Sequence, residues 1–419
     1  MKVFKFGGAS ISDFERIKNV GQILEAHKGE QILIIVSALG KTTNALEKVA
    51  EAFYKNKVNE ALSLFEKIKK DHITLAKYLL VTHYLPCEQQ LKDFFTEAEW
   101  LLHDKPVKSF AYYYDQIVCI GELLSSTIVS YYLNEIKINN KWMDVRDIIR
   151  TDANFKEANI DWEYTATQTE KQIAPYLDNE GVVLTQGFIA ATDENESTTL
   201  GREGSDYTAA VFANILNAEC QIIWKDVASV MNADPREVPD AISLPELNYT
   251  EVIEMAYYGA QIIHPKTIKP LQNKSIPLLV KCFLDPNLPG TIIHNSPVKD
   301  LPPIIVIKKN QVMVELKLKD FSFVGEHQTS LLYQLFESLS IHPNLTQHGA
   351  ISMIYAFDNR EDKINALASK AAETFDVQIT PSLTLLTIRH YNNEVQEKYL
   401  GDKTPLVKQQ TIQNLRALY

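Results

Sequence analysis

Four short stretches of this chain are apolar almost from end to end. They are "QILIIVSA" (Gln31 to Ala38), "EGVVLTQGF" (Glu180 to Phe188), "CQIIWKDV" (Cys220 to Val227) and "IPLLVKCF" (Ile276 to Phe283). Runs of this length without alternation mark strands buried on both faces of a sheet. Between them the apolar positions return at helical spacing, over Thr42 to Tyr54 and over Ser205 to Leu216. A longer helical stretch from about Val58 to Leu133 interrupts the alternation. Strands that alternate with helices predict an α/β fold, a largely parallel central sheet with helices on both faces.

In the stretch 285–304 the pattern breaks. Five of the 17 prolines fall there, Pro286, Pro289, Pro297, Pro302 and Pro303, a density that predicts a linker. Two domains are expected, over 1–295 and 304–419. In the second, Gln311 to Leu318 alternates as a strand. A helix to about Ser340, strands at "HPNLTQ" and "ISMIYAF", a helix from Arg360 to Phe375 and a strand at "VQIT" follow. The order is βαββαβ. "LTLLTIRHYN" and "TIQNLRALY" then read as the opening and closing strands of a second, reduced copy, or as an extension of the first sheet.

Composition changes this picture by exclusion. A 419-residue chain with 45% hydrophobic and 23% charged residues has the make-up of a soluble globular protein. A net charge of -11 argues against nucleic acid, and no basic run suits an anionic membrane. The apolar stretch Ile117 to Leu133 is interrupted by Glu122 and several serines, which predicts a buried helix. Four scattered cysteines without a Cys-x-x-Cys pair, and no signal peptide, lead to the expectation of a cytoplasmic protein with reduced thiols.

The candidate chemistry lies in glycine-rich turns at strand ends, where ligands bind in open α/β sheets. They are "KFGGAS", "SALGKTTNA", "TTLGREGSDYTAA" and "WKDVASVMNADPR". Ser205 is the expected N-cap of a helix Asp206 to Leu216. A Gly-Gly pair alone reads as a plain turn. Four such turns, with Lys5, Arg202 and Arg236 among them, point to a phosphorylated small molecule held by backbone amides and cations. Glu122, a carboxylate in an apolar helix, needs either a purpose or a buried ion-pair partner.

These turns, with "GELLSS" and "MAYYGAQIIHPKT", resemble in order the signatures of aspartate kinases, within the amino-acid kinase superfamily. The resemblance covers roughly Met1 to Phe283, and the remainder resembles the ACT regulatory region of that family. It implies the amino-acid kinase fold plus a C-terminal α+β ACT-like domain. It also implies transfer of the γ-phosphoryl group of ATP to the side-chain carboxylate of L-aspartate, with Mg²⁺ carried on the ATP phosphates and no confident metal ligand among the side chains.

By the same resemblance Lys5 and Asp206 are catalytic. Asp206 also fits a plain helix N-terminal charge. Lys5, Phe6, Gly7, Gly8, Ser10, Lys225, Asp226, Met231, Asp234, Arg236, Gln261 and Ile262 would hold ATP. Ser37, Thr43, Glu122, Arg202 and Ser205 would hold aspartate, Glu122 taking the ammonium and Arg202 a carboxylate. For Arg202 the plainer alternative is a surface salt bridge. Three residues depart from the family pattern. Lys225 stands for a threonine, Met231 for a tyrosine, and Gln261 for a lysine many relatives place against the phosphates.

Other members of the superfamily, acting on glutamate, N-acetylglutamate, carbamate or a nucleoside monophosphate, remain open, as does a non-catalytic amino-acid sensor. The resemblance further implies a homodimer through 304–419. A reduced second module implies weak or absent feedback by lysine or threonine.

Overall fold

The computed structural model describes residues 1–260, 262–320 and 322–419. The chain forms two compact units. The first comprises 1–230, 243–253 and 262–298; the second comprises 231–242, 254–261 and 299–419. The division differs from the expected 1–295 and 304–419 in one respect. Two short segments from upstream of the proline-rich stretch belong to the second unit.

The first unit is built on an eight-stranded sheet. Its order is Glu246–Asn248, Thr291–His294, Leu278–Cys282, Cys220–Lys225, Lys2–Phe6, Ile32–Val36, Val182–Gln186, Lys141–Trp142. The six strands from Leu278–Cys282 to Lys141–Trp142 are mutually parallel; Thr291–His294 pairs antiparallel with Leu278–Cys282. All five residues of Ile32–Val36 are buried, as an apolar run covered on both faces must be. The strand Thr291–His294 is a correction: the proline-rich stretch read as linker contains an ordered strand between Pro289 and Pro297. Pro289 and Pro297 lie just outside it, so no ladder amide is lost.

The expected helical stretch from Val58 is four helices, Val58–Leu79, Tyr84–His103, Phe110–Val118 and Ile120–Glu135. The run 110–135 is long and apolar enough to cross a membrane by length and composition, yet 89% of its apolar window is buried within the protein. The four cysteines are free and buried.

The second unit carries one six-stranded antiparallel sheet, in the order Leu345–His348, Ser352–Asp358, Ile304–Leu318, Phe375–Arg389, Asn414–Leu418, Val407–Gln410. "VQIT" and "LTLLTIR", which sequence separates at Pro381, are one strand of 15 residues. Its partner Ile304–Leu318 is equally long. Both bend where the register shifts between Lys308 and Met313, with Asn310 and Ser382 left-handed. The late strands therefore extend the first sheet. Helices Glu326–Ser338 and Glu361–Ala371 cover one half of it, Phe336 and Leu367 packing in one cluster with Val314, Leu316 and Phe357 of the sheet. The other half keeps a single helix, Asn393–Leu400, over Ile305, Leu386, Ile388 and Leu415. Met313, Leu345, Leu385, Val407 and Leu418 form a third apolar cluster, and Gln409 Nε2 donates to the Thr346 carbonyl at 2.7 Å to join the two sheet edges.

Candidate active site

The carboxyl ends of Lys2–Phe6, Ile32–Val36 and Val182–Gln186 open into a cleft of about 460 Å³. Its walls include Lys5, Gly8, the Ser37–Gly40 turn, Thr43, Glu122, Phe188 and the segment 201–206. Gly8 is required by space: a Cβ there would lie 2.6 Å from the Ala38 carbonyl oxygen. Gly187 is required likewise, since its Cβ would meet Ser205 at 2.5 Å. The helix Gly204–Ile215 thus presents its N-terminal turn, with Ser205 and Asp206, to the cleft.

Charge in the cleft is only partly paired. Lys5 Nζ lies 2.7 Å from Asp206 Oδ1, with both side chains nearly buried. Glu122 is 2% exposed; its Oε1 accepts the Ala38 N–H at 3.3 Å, and its Oε2 has no hydrogen-bond partner. Burial pushes the Glu122 carboxyl up to about 8, only weakly opposed by the Ala38 amide. Arg202 is exposed at the cleft and forms no ion pair among the described residues. The Lys5–Asp206 pair, the Arg202 cation and the buried Glu122 carboxyl form a set suited to a small zwitterion with extra negative charge.

The expected substrate group comes together: Ser37, Thr43, Glu122, Arg202 and Ser205 all line the cleft, as do Lys5, Gly8 and Asp206. Ser125 Oγ holds the Ser37 carbonyl at 2.7 Å and so fixes that turn. Other expectations need correction. Phe6 is fully buried and stacks on Trp224 at 6.2 Å, so its side chain is a core group. Ser10 is buried as well and donates to the Trp224 carbonyl at 3.1 Å, which makes its hydroxyl a structural tie. Ser205 is not the N-cap. Glu203 takes that position with φ +54°, and its Oε2 accepts the His264 N–H at 2.8 Å.

Gly7 follows the first strand, and a Cβ there would stand 3.3 Å from Lys5 Nζ. Lys225, at the end of its strand, donates from Nζ to the Ile262 carbonyl at 2.5 Å; Asp226 beside it is exposed. Met231, Asp234 and Arg236 belong to the second unit, where Arg236 is held by Asp234 at 2.7 Å. Gln261 lies outside the described residues.

Five cleft residues that the sequence reading did not single out are Tyr114, Lys156, Glu157, Phe188 and Glu203. Phe188 follows the Val182–Gln186 strand, so the strand-end rule could have found it. Lys156 sits in "DANFKEAN", which reads as a solvated loop. Lys156, Phe188 and Glu203 are all left-handed, with φ of +75°, +71° and +54°. Non-glycine residues seldom adopt that region, and such strain gathers at functional sites.

Comparison with known proteins bears on this geometry. Residues 1–282 match the amino acid kinase family. Lysine-sensitive aspartokinase 3 of Escherichia coli is 33% identical over 81% of this chain and 74% of its own length. Against a bifunctional aspartokinase/homoserine dehydrogenase of Arabidopsis thaliana the identity is 31%, and the match spans 33% of that longer protein. The crystal structure of E. coli aspartokinase III with lysine and aspartate superposes with a TM-score of 0.84 at 25% identity, covering 100% of this chain and 96% of that one. The same enzyme with aspartate and ADP gives 0.81 at 26% identity, with the same coverage.

Proposed function

The chain belongs to the amino acid kinase family and within it to the aspartokinases, and on that footing we propose how its cleft phosphorylates L-aspartate with ATP. The protein is an ATP-dependent aspartate kinase that forms 4-phospho-L-aspartate and ADP. The observation that carries the residue assignment is the buried carboxyl of Glu122, unpaired on Oε2, in the same cleft as the Lys5–Asp206 pair.

A carboxylate nucleophile is already ionised at neutral pH, so no general base is needed. The side-chain oxygen of aspartate attacks the γ-phosphorus; the bond to the β-phosphate oxygen breaks, and ADP leaves with the electron pair. What must be supplied is proximity between two anions and positive charge in the transition state. Lys5 supplies an ammonium held in place by Asp206, and the N-terminal turn of Gly204–Ile215 adds oriented amides. Gly7 and Gly8 let the phosphates approach the backbone. Glu122 binds the substrate ammonium and Arg202 its α-carboxylate, with Ser37, Thr43 and Ser205 as hydroxyl partners. Lys225 and Asp226, at the adjoining strand end, take the nucleotide side.

No group of three or more His, Cys, Asp or Glu residues among those described forms a metal site. Mg²⁺ would arrive on the ATP phosphates and supply charge neutralisation there, and the Asp206 carboxylate is the residue that would meet it. We place the enzyme in the cytoplasm and as a homodimer through 304–419. Phe323, Leu331 and Tyr333, exposed in that region, support a partnered surface.

The test is a mixture of protein, ATP, Mg²⁺, aspartate and hydroxylamine, which traps the acyl phosphate as its hydroxamate. Aspartate-dependent hydroxamate is expected. None at all would favour a non-catalytic sensor, and glutamate outperforming aspartate would favour another member of the family.

A further inference from the structure

We infer that Lys156 is a substrate-binding residue, a second cation that acts beside Arg202 on the α-carboxylate of aspartate. The inference rests on the aspartate kinase reading and extends it to a residue on a loop with no motif.

Four observations carry it. Lys156 lines the same cleft as Glu122, Arg202 and Lys5. Its backbone is held at φ +75°, a region glycine enters freely and lysine does not, so the position tolerates a lysine at a conformational disadvantage. Its ammonium lies 4.4 Å from the centre of the Tyr114 ring and 5.5 Å from that of Phe110, and pairs with no carboxylate among the described residues, although Glu157 is adjacent in sequence. Tyr114 is itself fixed, its hydroxyl donating to Glu47 Oε1 at 2.7 Å. Asp115 feels the Lys156 charge and Glu157 lines the same cleft, but no carboxylate forms an ion pair with the ammonium among the described residues. A cation resting on aromatic faces is held in place while keeping room for an anion.

The loop is anchored where Arg202 begins. The Lys156 N–H donates to buried Asp115 Oδ2 at 2.9 Å, and the same carboxylate receives the Thr199 N–H and hydroxyl. The Ala158 N–H donates to the Thr199 carbonyl at 3.0 Å. A Cβ on Gly201 would lie 3.4 Å from the Lys156 carbonyl oxygen, so this loop packs directly against the residue before Arg202. Asp115 therefore positions both the Lys156 loop and the strand that leads to Arg202. Two unpaired cations on adjoining, jointly anchored segments are matched by one substrate feature, the carboxylate that is not phosphorylated. Lys5, already paired with Asp206, faces the other.

Three variants and two substrates test this. Lys156→Gly and Lys156→Met should each raise the aspartate KM on the order of tenfold or more, with the ATP KM and kcat within about twofold, as loss of uniform binding does. Lys156→Arg should restore the KM to near the parent value. The α-amide of aspartate, which keeps the reacting side-chain carboxylate and lacks the α-carboxylate, should show the same KM in parent and variants. Because glycine accepts φ +75°, the Lys156→Gly protein should unfold at the parent temperature or above it. An unchanged aspartate KM in the Gly and Met variants overturns the inference. So does a KM that rises equally for the α-amide, or an Arg variant that fails like Met. If the parent protein makes no hydroxamate, it is the underlying kinase reading that falls.

Discussion

The sheets of the two units differ in how they treat their carboxylates, although each also keeps a cation without an ion pair among the described residues, Arg416 in the second. In the antiparallel sheet of the second unit, polar side chains meet each other: Asp358 accepts from Gln311 and Asn344, and Arg389 from within its strand binds Glu254 and Asn414. Its left-handed residues Asn310 and Ser382 sit where the long strands bend. The parallel sheet of the first unit instead ends in a cleft where Glu122 Oε2, Arg202 and Lys156 have no oppositely charged partner among the described residues. Three non-glycine residues there are left-handed. Burying a carboxylate without a charged partner is unfavourable, so Glu122 stays protonated near neutral pH until a cationic group from outside the chain meets it. Unsatisfied charge, more than a cavity as such, separates a binding region from a structural one.

Removing the Lys5–Asp206 pair of the cleft should break the contrast most severely. Lys5→Ala is expected to lower turnover by several orders of magnitude, since a transition-state charge contact of this kind is worth about 3 to 4 kcal/mol or more. Circular dichroism should show an intact fold. Near-normal hydroxamate production in this variant would mean the phosphates bind elsewhere.

Glu122→Gln sharpens the comparison through pH. The carboxyl of Glu122 is raised from 4.5 to about 8 by burial. A raised acid binds a proton more tightly folded than unfolded, so the ligand-free protein should lose stability as pH rises from about 4.5 to about 8 and then level off. Aspartate binding has the opposite sense, because its ammonium requires the ionised form. Affinity for aspartate should rise about tenfold per pH unit up to about 8 and flatten above it. In Glu122→Gln that slope should vanish, with the aspartate KM raised much more than the ATP KM. If both KM values shift together, Glu122 is a structural group.

The smallest expected effect lies in the second unit. Its sheet has lost helices from one half, keeping Asn393–Leu400 alone where the other half has two. Lysine and threonine, titrated separately and together into the hydroxamate assay, should leave most of the activity. Strong, cooperative inhibition at micromolar effector would show that the reduced half still builds a working sensor, and that the second unit also binds a ligand.

Much of the site is legible in local sequence for a local reason. A strand end followed by Gly-Gly, or a carboxylate in an apolar helix, makes a statement about backbone freedom and desolvation that needs no knowledge of neighbours. Lys5, Gly8, Thr43, Glu122, Arg202 and Asp206 were found in this way and through the resemblance, and they share one cleft. For Phe6 and Ser10 a motif fixes the position in the chain and not the direction of the side chain, and both side chains are turned into the core. Trp224 claims both, one by stacking and one by a hydrogen bond.

By itself, then, the sequence determined the alternation of strand and helix, the glycine turns and the identity of the family. Those depend on periodicity and residue type, which are properties of the chain read in one dimension. Only the tertiary structure decided that the proline-rich stretch holds a strand, that 375–389 is one strand bent at Ser382, and that Glu203 rather than Ser205 occupies the N-cap position. It alone brought Lys156 to the cleft, through a carboxylate on Asp115 that is 41 residues away in the chain. Pairing across such separations depends on which surfaces the whole fold buries together, and no local window carries that information.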